Sequence, residues 1–217
     1  MHPLPHGYTN RTMADSTHVT KTYQGPDAAT RLRREADALT TLRPHLPVPT
    51  LKAVHQDTLT LDMERVPGTQ GQDLIAKGHA PAVLSACGHL LRRLHQIPTA
   101  DGTVIVHGDF GPNNTLLDPD TFVVTALLDW EFVHRGDPIE DLAWCEWIIR
   151  THHPDHRDAL ADFHAAYAGP IPTWPDRQAE MLRRCRELEE FCHRWQGPGE
   201  AVRTWQTRAA KTSRWTE

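Results

Sequence analysis

Residues 107–114 read "HGDFGPNN". The stretch holds an imidazole (His107), a carboxylate (Asp109) and two carboxamides (Asn113 and Asn114). Its two glycines and one proline disfavour both helix and strand. A second carboxylate, Asp129, ends the apolar run "VVTALL". A hairpin that returns this run beside the loop brings Asp109, Asn114 and Asp129 together. Carboxylate and amide oxygens suit Mg²⁺, a hard ion that takes oxygen ligands and usually keeps only one or two carboxylates besides substrate phosphates. Asn114 and Asp129 are then the metal ligands, and Asp109 stays free to accept the proton of an incoming hydroxyl. Phosphoryl transfer asks for little more than metal-borne charge neutralisation, an oriented nucleophile and a lysine on the phosphates.

The elements that must position this loop can be read from periodicity. "STHVTKTYQG" (16–25) reads as a strand, because β-branched and aromatic residues alternate before a Gly-Pro break. Residues 27–44 read as a helix that Asp27 can cap, with Leu32, Ala36, Leu39 and Leu42 near helical spacing. Residues 46–68 read as two short strands around "HQD" with an exit at Pro67-Gly68. Residues 80–96 form an amphipathic helix with Val83, Leu84, Cys87, Leu90, Leu91 and Leu94 on one side. Strands are expected at 103–106, 115–117 and 122–130, and helices at about 139–151, 155–168, 175–195 and 199–213. "HGYTNRTMAD" (6–15) reads as a loop.

Composition narrows the class. The chain has 217 residues with 39% hydrophobic and 24% charged content, ordinary for a globular protein. No apolar run reaches the roughly 18 residues that span a bilayer, and "MHPLPHGYTN" lacks the pattern of a signal peptide. Four cysteines without CxxC pairing fit reduced thiols, so a cytoplasmic protein is expected. Residues 1–100 carry 11 Lys+Arg and 8 Asp+Glu, whereas residues 101–217 carry 12 and 20. That balance is a poor match for a nucleic-acid binder and suits a protein handling an anion with one part and a cation with another. "THHPDH" (151–156) holds three imidazoles, but it runs through a proline with no second ligand cluster and reads as a helix junction.

"HGDFGPNN" followed by "LLDWEFVHRGDPIEDLAW" resembles the catalytic core of the aminoglycoside phosphotransferase and choline kinase group, small-molecule kinases with a protein-kinase-like fold. The resemblance implies an α+β, bilobal molecule: a small β-rich nucleotide-binding lobe over residues 1–66, trimmed at its start, and a mainly helical catalytic lobe over 67–217. It implies Asp109 as the catalytic base, Asn114 and Asp129 as Mg²⁺ ligands, His107 as a brace for the loop, and Asp141 as holder of the loop's backbone. Glu131 belongs to the same signature and reaches the metal through water or holds the loop. Lys21, mid-strand in "HVTKTY", matches the phosphate-binding lysine, with Glu35 on the next helix as its partner. The Glu64 carbonyl and the Val66 amide are expected to hold the adenine, and Gly7 and Asn10 to lie near phosphate.

The expected activity is ATP- or GTP-dependent transfer of a γ-phosphoryl group to a hydroxyl of a small cationic molecule, such as an aminoglycoside, as in a resistance-type kinase. A metabolic kinase for an amino alcohol or sugar is the alternative, and a nucleotide-binding pseudoenzyme a more distant one. Asp137, Glu146, Glu187 and Glu190 are the acidic residues expected to grip such a substrate, and one of the tryptophans could stack on it. Glu180–Arg184, Arg183–Glu187 and Arg186–Glu190 are spaced to pair along one helix. The expected partners are the nucleotide and this small hydroxylated molecule, with no nucleic acid and no membrane, in a monomer or homodimer.

Overall fold

The computed structural model describes residues 2–3 and 10–217. The chain opens with β1 (His2–Pro3), β2 (Asn10–Ala14) and β3 (His18–Tyr23), followed by the helix α1 (Ala28–Leu42) and the hairpin β4 (Leu51–His55) and β5 (Thr60–Glu64). These strands form one antiparallel sheet in the order β1-β2-β3-β5-β4. Lys21 sits centrally in it, opposite Thr12 of β2 and Leu61 of β5. The stretch expected to be a loop is thus strand from residue 10, and two strands precede the lysine strand. β1 spans two of the described residues. Gly7 lies outside the described residues.

Helix α1 buries Leu32, Ala36, Leu39 and Leu42, the face its spacing sets out, into a core with Tyr23, Leu61 and Met63. Two short elements not anticipated from the sequence follow, β6 (Thr69–Gln70) and α2 (Gly71–Ala76). Next comes α3 (Ala80–His95), whose buried side carries all six residues of the expected stripe. A side chain at Gly88 would collide with the Phe163 carbonyl, so this glycine sets how closely α3 approaches α5 (Leu160–Tyr167).

Between α3 and α5 lie β7 (Val104–Val106), β8 (Thr115–Leu117), β9 (Val124–Leu127), β10 (His134–Gly136) and α4 (Pro138–His152). β8 and β9 form the expected hairpin, and β6 adds to its other edge. β9 stops at Leu127 rather than running on to Trp130, because Asp129 takes a left-handed conformation (φ 66°, ψ 61°) and a 3₁₀ turn follows over Trp130–Phe132. β10 pairs with β7 and was not anticipated. Residues 155–168 divide into a 3₁₀ segment (Pro154–Ala159) and α5. The chain closes with α6 (Trp174–Gln196) and α7 (Glu200–Thr212), which pack with α4 around Trp144, Trp147, Ile148, Met181 and Cys185. The result is an α+β fold with a small antiparallel sheet at one end and a helical body at the other. No helix among the described residues is long and apolar enough to cross a membrane.

Candidate active site

The loop 107–114 hangs from β7 and returns through β8, while Asp129 arrives from the end of β9. The hairpin therefore brings together the three groups that the sequence spacing pointed to. Asn114 donates through Nδ2 to the Asp109 carbonyl and to Asp109 Oδ2, both at 2.8 Å. Its Oδ1 is left without a protein donor among the described residues. The indole of Trp144, on α4, donates to Asp109 Oδ1 at 2.7 Å. Both oxygens of Asp109 are thus oriented, and each retains a lone pair for a further donor. Burial, and then the nearby Asp129, push the Asp109 carboxyl up to about 6, against the opposing pull of Trp144, Arg184 and Asn114. The group is a carboxylate at neutral pH, with more basicity than an exposed aspartate.

The loop is fixed from below. Asp141, in the first turn of α4, accepts from the backbone amides of His107 (2.8 Å) and Gly108 (2.9 Å) and meets His95 Nε2 at 3.2 Å. Burial alone would raise its carboxyl; the bond and charge of His95, then His107, hold it below the ordinary value instead. His107 bonds the Leu128 carbonyl through Nε2 at 2.9 Å, and its Nδ1 accepts from the Asp109 amide at 3.2 Å. A carbonyl can only accept and an amide N–H only donates, so the ring is the neutral Nε2–H tautomer. Burial, which lowers its basicity, favours the same neutral form. His107 thereby ties the loop to the strand end that carries Asp129. At Gly108, φ is 80° and a Cβ would lie 2.6 Å from the Phe132 carbonyl, so glycine is required there.

Lys21 reaches the same centre from the sheet. Its Nζ lies 2.6 Å from Glu35 Oε2 and 2.6 Å from Asp129 Oδ1. Burial pulls the ammonium down, but Asp129, Glu131 and Glu35 together hold it well above its ordinary value, so it stays charged. Burial raises Glu35 more than Lys21 lowers it, and Tyr23 donates its hydroxyl to the same oxygen of Glu35. One Asp129 oxygen faces Lys21; the other, with Asn114 Oδ1, makes a pair of hard oxygen donors from one carboxylate and one amide. That donor set fits Mg²⁺, which fills its remaining positions with water and phosphate oxygens.

Other expected residues have different places. Asn10 lies on β2, and its amide donates to Glu131 Oε2 at 2.7 Å. Arg31 donates to the same oxygen at 2.5 Å, so Glu131 joins β2, α1 and the strand end near Asp129. Glu64 ends β5; its side chain accepts from Thr50 and faces Arg43. Val66 is half-buried in the connection to β6. Asp137 caps α4, accepting from the Ile139 amide at 2.9 Å. Glu146 is buried between Arg150 (2.8 Å) and Arg177 (2.7 Å). Glu187 pairs with Arg183 and Arg184, and Glu190 is exposed. Glu180 pairs with Arg183 rather than with Arg184.

A cleft of about 510 Å³ runs from Asp109, Asn114 and Asp129 over the faces of α4, α6 and α7, a size suited to a small molecule. None of Asp137, Glu146, Glu187 and Glu190 lines it, whereas Trp144 and Arg184 do. Arg184 donates to the Gly108 carbonyl, in the 107–114 loop, at 2.8 Å. Its helical spacing to Glu180 suggested a surface pair and hid this contact. "THHPDH" builds no cluster of three metal-binding side chains among the described residues.

Comparison with known proteins places this arrangement in context. The model of the phosphotransferase enzyme family matches residues 1–103 and 100–188. Among solved structures, the gentamicin complex of APH(2'')-IIa superposes with a TM-score of 0.75 at 12% identity, covering 96% of this chain and 90% of that one. A thermostable mutant of aminoglycoside phosphotransferase APH(4)-Ia with AMP-PNP and hygromycin B gives 0.70 at 16% identity, over 98% and 92%. APH(3'')-Id from Streptomyces rimosus gives 0.66 at 20% identity, over 81% and 87%. A stretch of 48 residues, 22% of this chain, is 42% identical to acyl-CoA dehydrogenase family member 10 of Mus musculus but spans 4% of that protein. The structural likeness establishes the protein-kinase-like, bilobal fold that the motif implied. With the family model matched over most of its length, the chain belongs to the phosphotransferase enzyme family.

Proposed function

We propose that this enzyme transfers the γ-phosphoryl group of ATP, with Mg²⁺, to a hydroxyl of a small molecule seated in the cleft. The observation that carries the reading is the convergence of four separate segments of sequence: Lys21 bonds Glu35 and Asp129, Asn114 bonds Asp109, and Asp109, Asn114 and Asp129 line one cleft. Asp109 accepts the proton of the acceptor hydroxyl, whose oxygen attacks the γ-phosphorus as the bond to the β,γ-bridging oxygen breaks and ADP leaves. Trp144 and Asn114 hold the Asp109 carboxylate at the point of attack. Lys21, steadied by Glu35, contacts the phosphates. Magnesium, held by Asn114 Oδ1 and Asp129, supplies charge neutralisation on the phosphates. The nucleotide lies between the sheet and the helical body, with adenine at the Glu64 carbonyl and Val66 amide, and we set the lobe boundary there, between residues 66 and 67. ATP is favoured as donor because neighbouring structures hold AMP-PNP and ADP.

Two acceptor classes compete. Hygromycin B, streptomycin and gentamicin, bound in neighbouring structures, support a polycationic aminoglycoside and a resistance-type kinase. The lining of the cleft supports an apolar-bodied acceptor. A panel of hydroxylated compounds of both classes, incubated with γ-labelled ATP or GTP and Mg²⁺, tests the reading. Label should pass to an acceptor, with ATP preferred. Absence of transfer to every compound, with intact nucleotide binding, would count for a binding module instead.

A further inference from the structure

The acidic excess of residues 101–217 invites a cationic acceptor, yet Asp137, Glu146, Glu187 and Glu190 do not line the cleft. Glu146 is shut between two arginines, Asp137 caps a helix, and Glu140, Glu180 and Glu187 surround Arg183 in a smaller adjoining pocket beside Gly108, Trp144 and Arg184. The carboxylates that do line the cleft are Asp109, Asp129 and Glu131. Each has a partner within the protein: Trp144 and Asn114, Lys21, and Arg31. No carboxylate among the described lining residues is left over to hold an ammonium group.

Beyond the catalytic loop the cleft wall is aromatic. Trp144, bonded to Asp109, stacks on Trp147 with centroids 4.4 Å apart and planes 5° apart. Trp205 follows, 5.6 Å from Trp147, and Arg208 lies 4.5 Å over the Trp205 ring. A continuous path of flat faces thus leads from the base to a guanidinium. Trp144 and Trp147 are nearly fully buried, so half-buried Trp205, with Phe132 and Trp195, presents the open aromatic surface. No carboxylate among the described residues is within ion-pair distance of Arg208. An arginine stacked on an aromatic face keeps its planar N–H edge available for a carboxylate.

We propose that the acceptor is a hydroxylated molecule with a flat, apolar body and a carboxylate, not a polycation: the body lies along Trp205, the carboxylate meets Arg208, and the hydroxyl reaches Asp109. The proposal rests on the phosphotransferase reading for its hydroxyl, but the ligand class rests on the lining alone. Recognition is by aromatic contact and one charge-assisted pair, and an aminoglycoside, with several ammonium groups and no carboxylate, lacks the pair and meets Arg208 with like charge.

Three naphthalene compounds that share a hydroxymethyl group and differ in a second substituent (carboxylate, hydrogen or aminomethyl) separate the contributions. Binding to the intact protein is read by quenching of tryptophan fluorescence, and transfer by γ-labelled MgATP. The carboxylate should bind about tenfold more tightly than the uncharged compound, and the aminomethyl compound and hygromycin B most weakly. Arg208→Gln should abolish the carboxylate's advantage while leaving affinity for the uncharged compound unchanged, a split that general loss of folding would not produce. Tighter binding of the amine or of hygromycin B, or equal or absent binding across the series, overturns the proposal. If the carboxylate binds best but no compound is phosphorylated, the ligand class stands and the catalytic reading fails.

Discussion

At the end of the cleft beside the 107–114 loop each charged side chain meets a partner of opposite charge or a hydrogen-bond donor; at the far end, aromatic faces and Arg208 stand without carboxylates. The first region is a polar network drawn from β2, β3, α1, the 107–114 loop, the β9 end and α4. Its members are held by short bonds, and Lys21, Glu35, Arg31 and Glu131 are buried, where an unpaired charge would be costly. The second is built by three helices and is mostly apolar surface. The difference separates the two tasks of a group-transfer enzyme. Positions around transferring phosphates must be fixed in advance, whereas an acceptor is chosen by the shape and polarity of the wall it lies on.

The comparison can be broken most severely at Asp141. Asp141→Ala removes a buried carboxylate that two loop amides and His95 share. It should cost about 3 kcal/mol of stability, read as a fall in denaturation midpoint. An unchanged midpoint would mean that the loop is not held from below. Asp141 has a depressed pKa, so its contribution is present above the unfolded carboxyl value and is lost as pH falls through the lower folded one.

A smaller effect is expected at Trp144. Trp144→Phe keeps the ring but deletes the N–H that stabilises the charged form of Asp109. The carboxyl should then titrate above its value of about 6, and turnover at neutral pH should drop about tenfold. Asp129→Asn removes the neighbouring negative charge and should move the Asp109 titration the other way, measured by NMR in metal-free protein. A shift in the same direction in both variants would refute this account of the base. The least effect belongs to Glu190, which is exposed and outside the cleft: Glu190→Gln should leave acceptor KM unchanged within about twofold. A large rise in KM would restore an acidic grip on the substrate.

The two regions also differ in how far sequence reveals them. The polar network could be read because its residues are carried by local patterns. "HGDFGPNN" and Asp129 are joined by one short hairpin, and the alternation around Lys21 marks its strand. Helix faces followed from periodicity, so α1 and α3 were legible to within two residues at their ends. The cleft wall was not legible, since it depends on how α4, α6 and α7 cross. Spacing alone matched Arg184 with Glu180, but tertiary packing turns it to the Gly108 carbonyl. Glu146 looked like an accessible acid and is buried because Arg177, 31 positions later, returns to it. The left-handed turn at Asp129 that ends β9 was likewise invisible in a run of strand-forming residues, as was the Arg31–Glu131 pair that spans 100 positions.

The central claim is that Asp109 acts as the base of an Mg²⁺- and nucleotide-dependent transfer. It is tested most directly by measuring MgATP affinity and γ-phosphoryl transfer side by side in the wild-type enzyme and in Asp109→Asn. The variant should bind MgATP as the wild type does while its turnover falls by roughly two to four orders of magnitude. Transfer at the wild-type rate with Asn at position 109 would contradict the account.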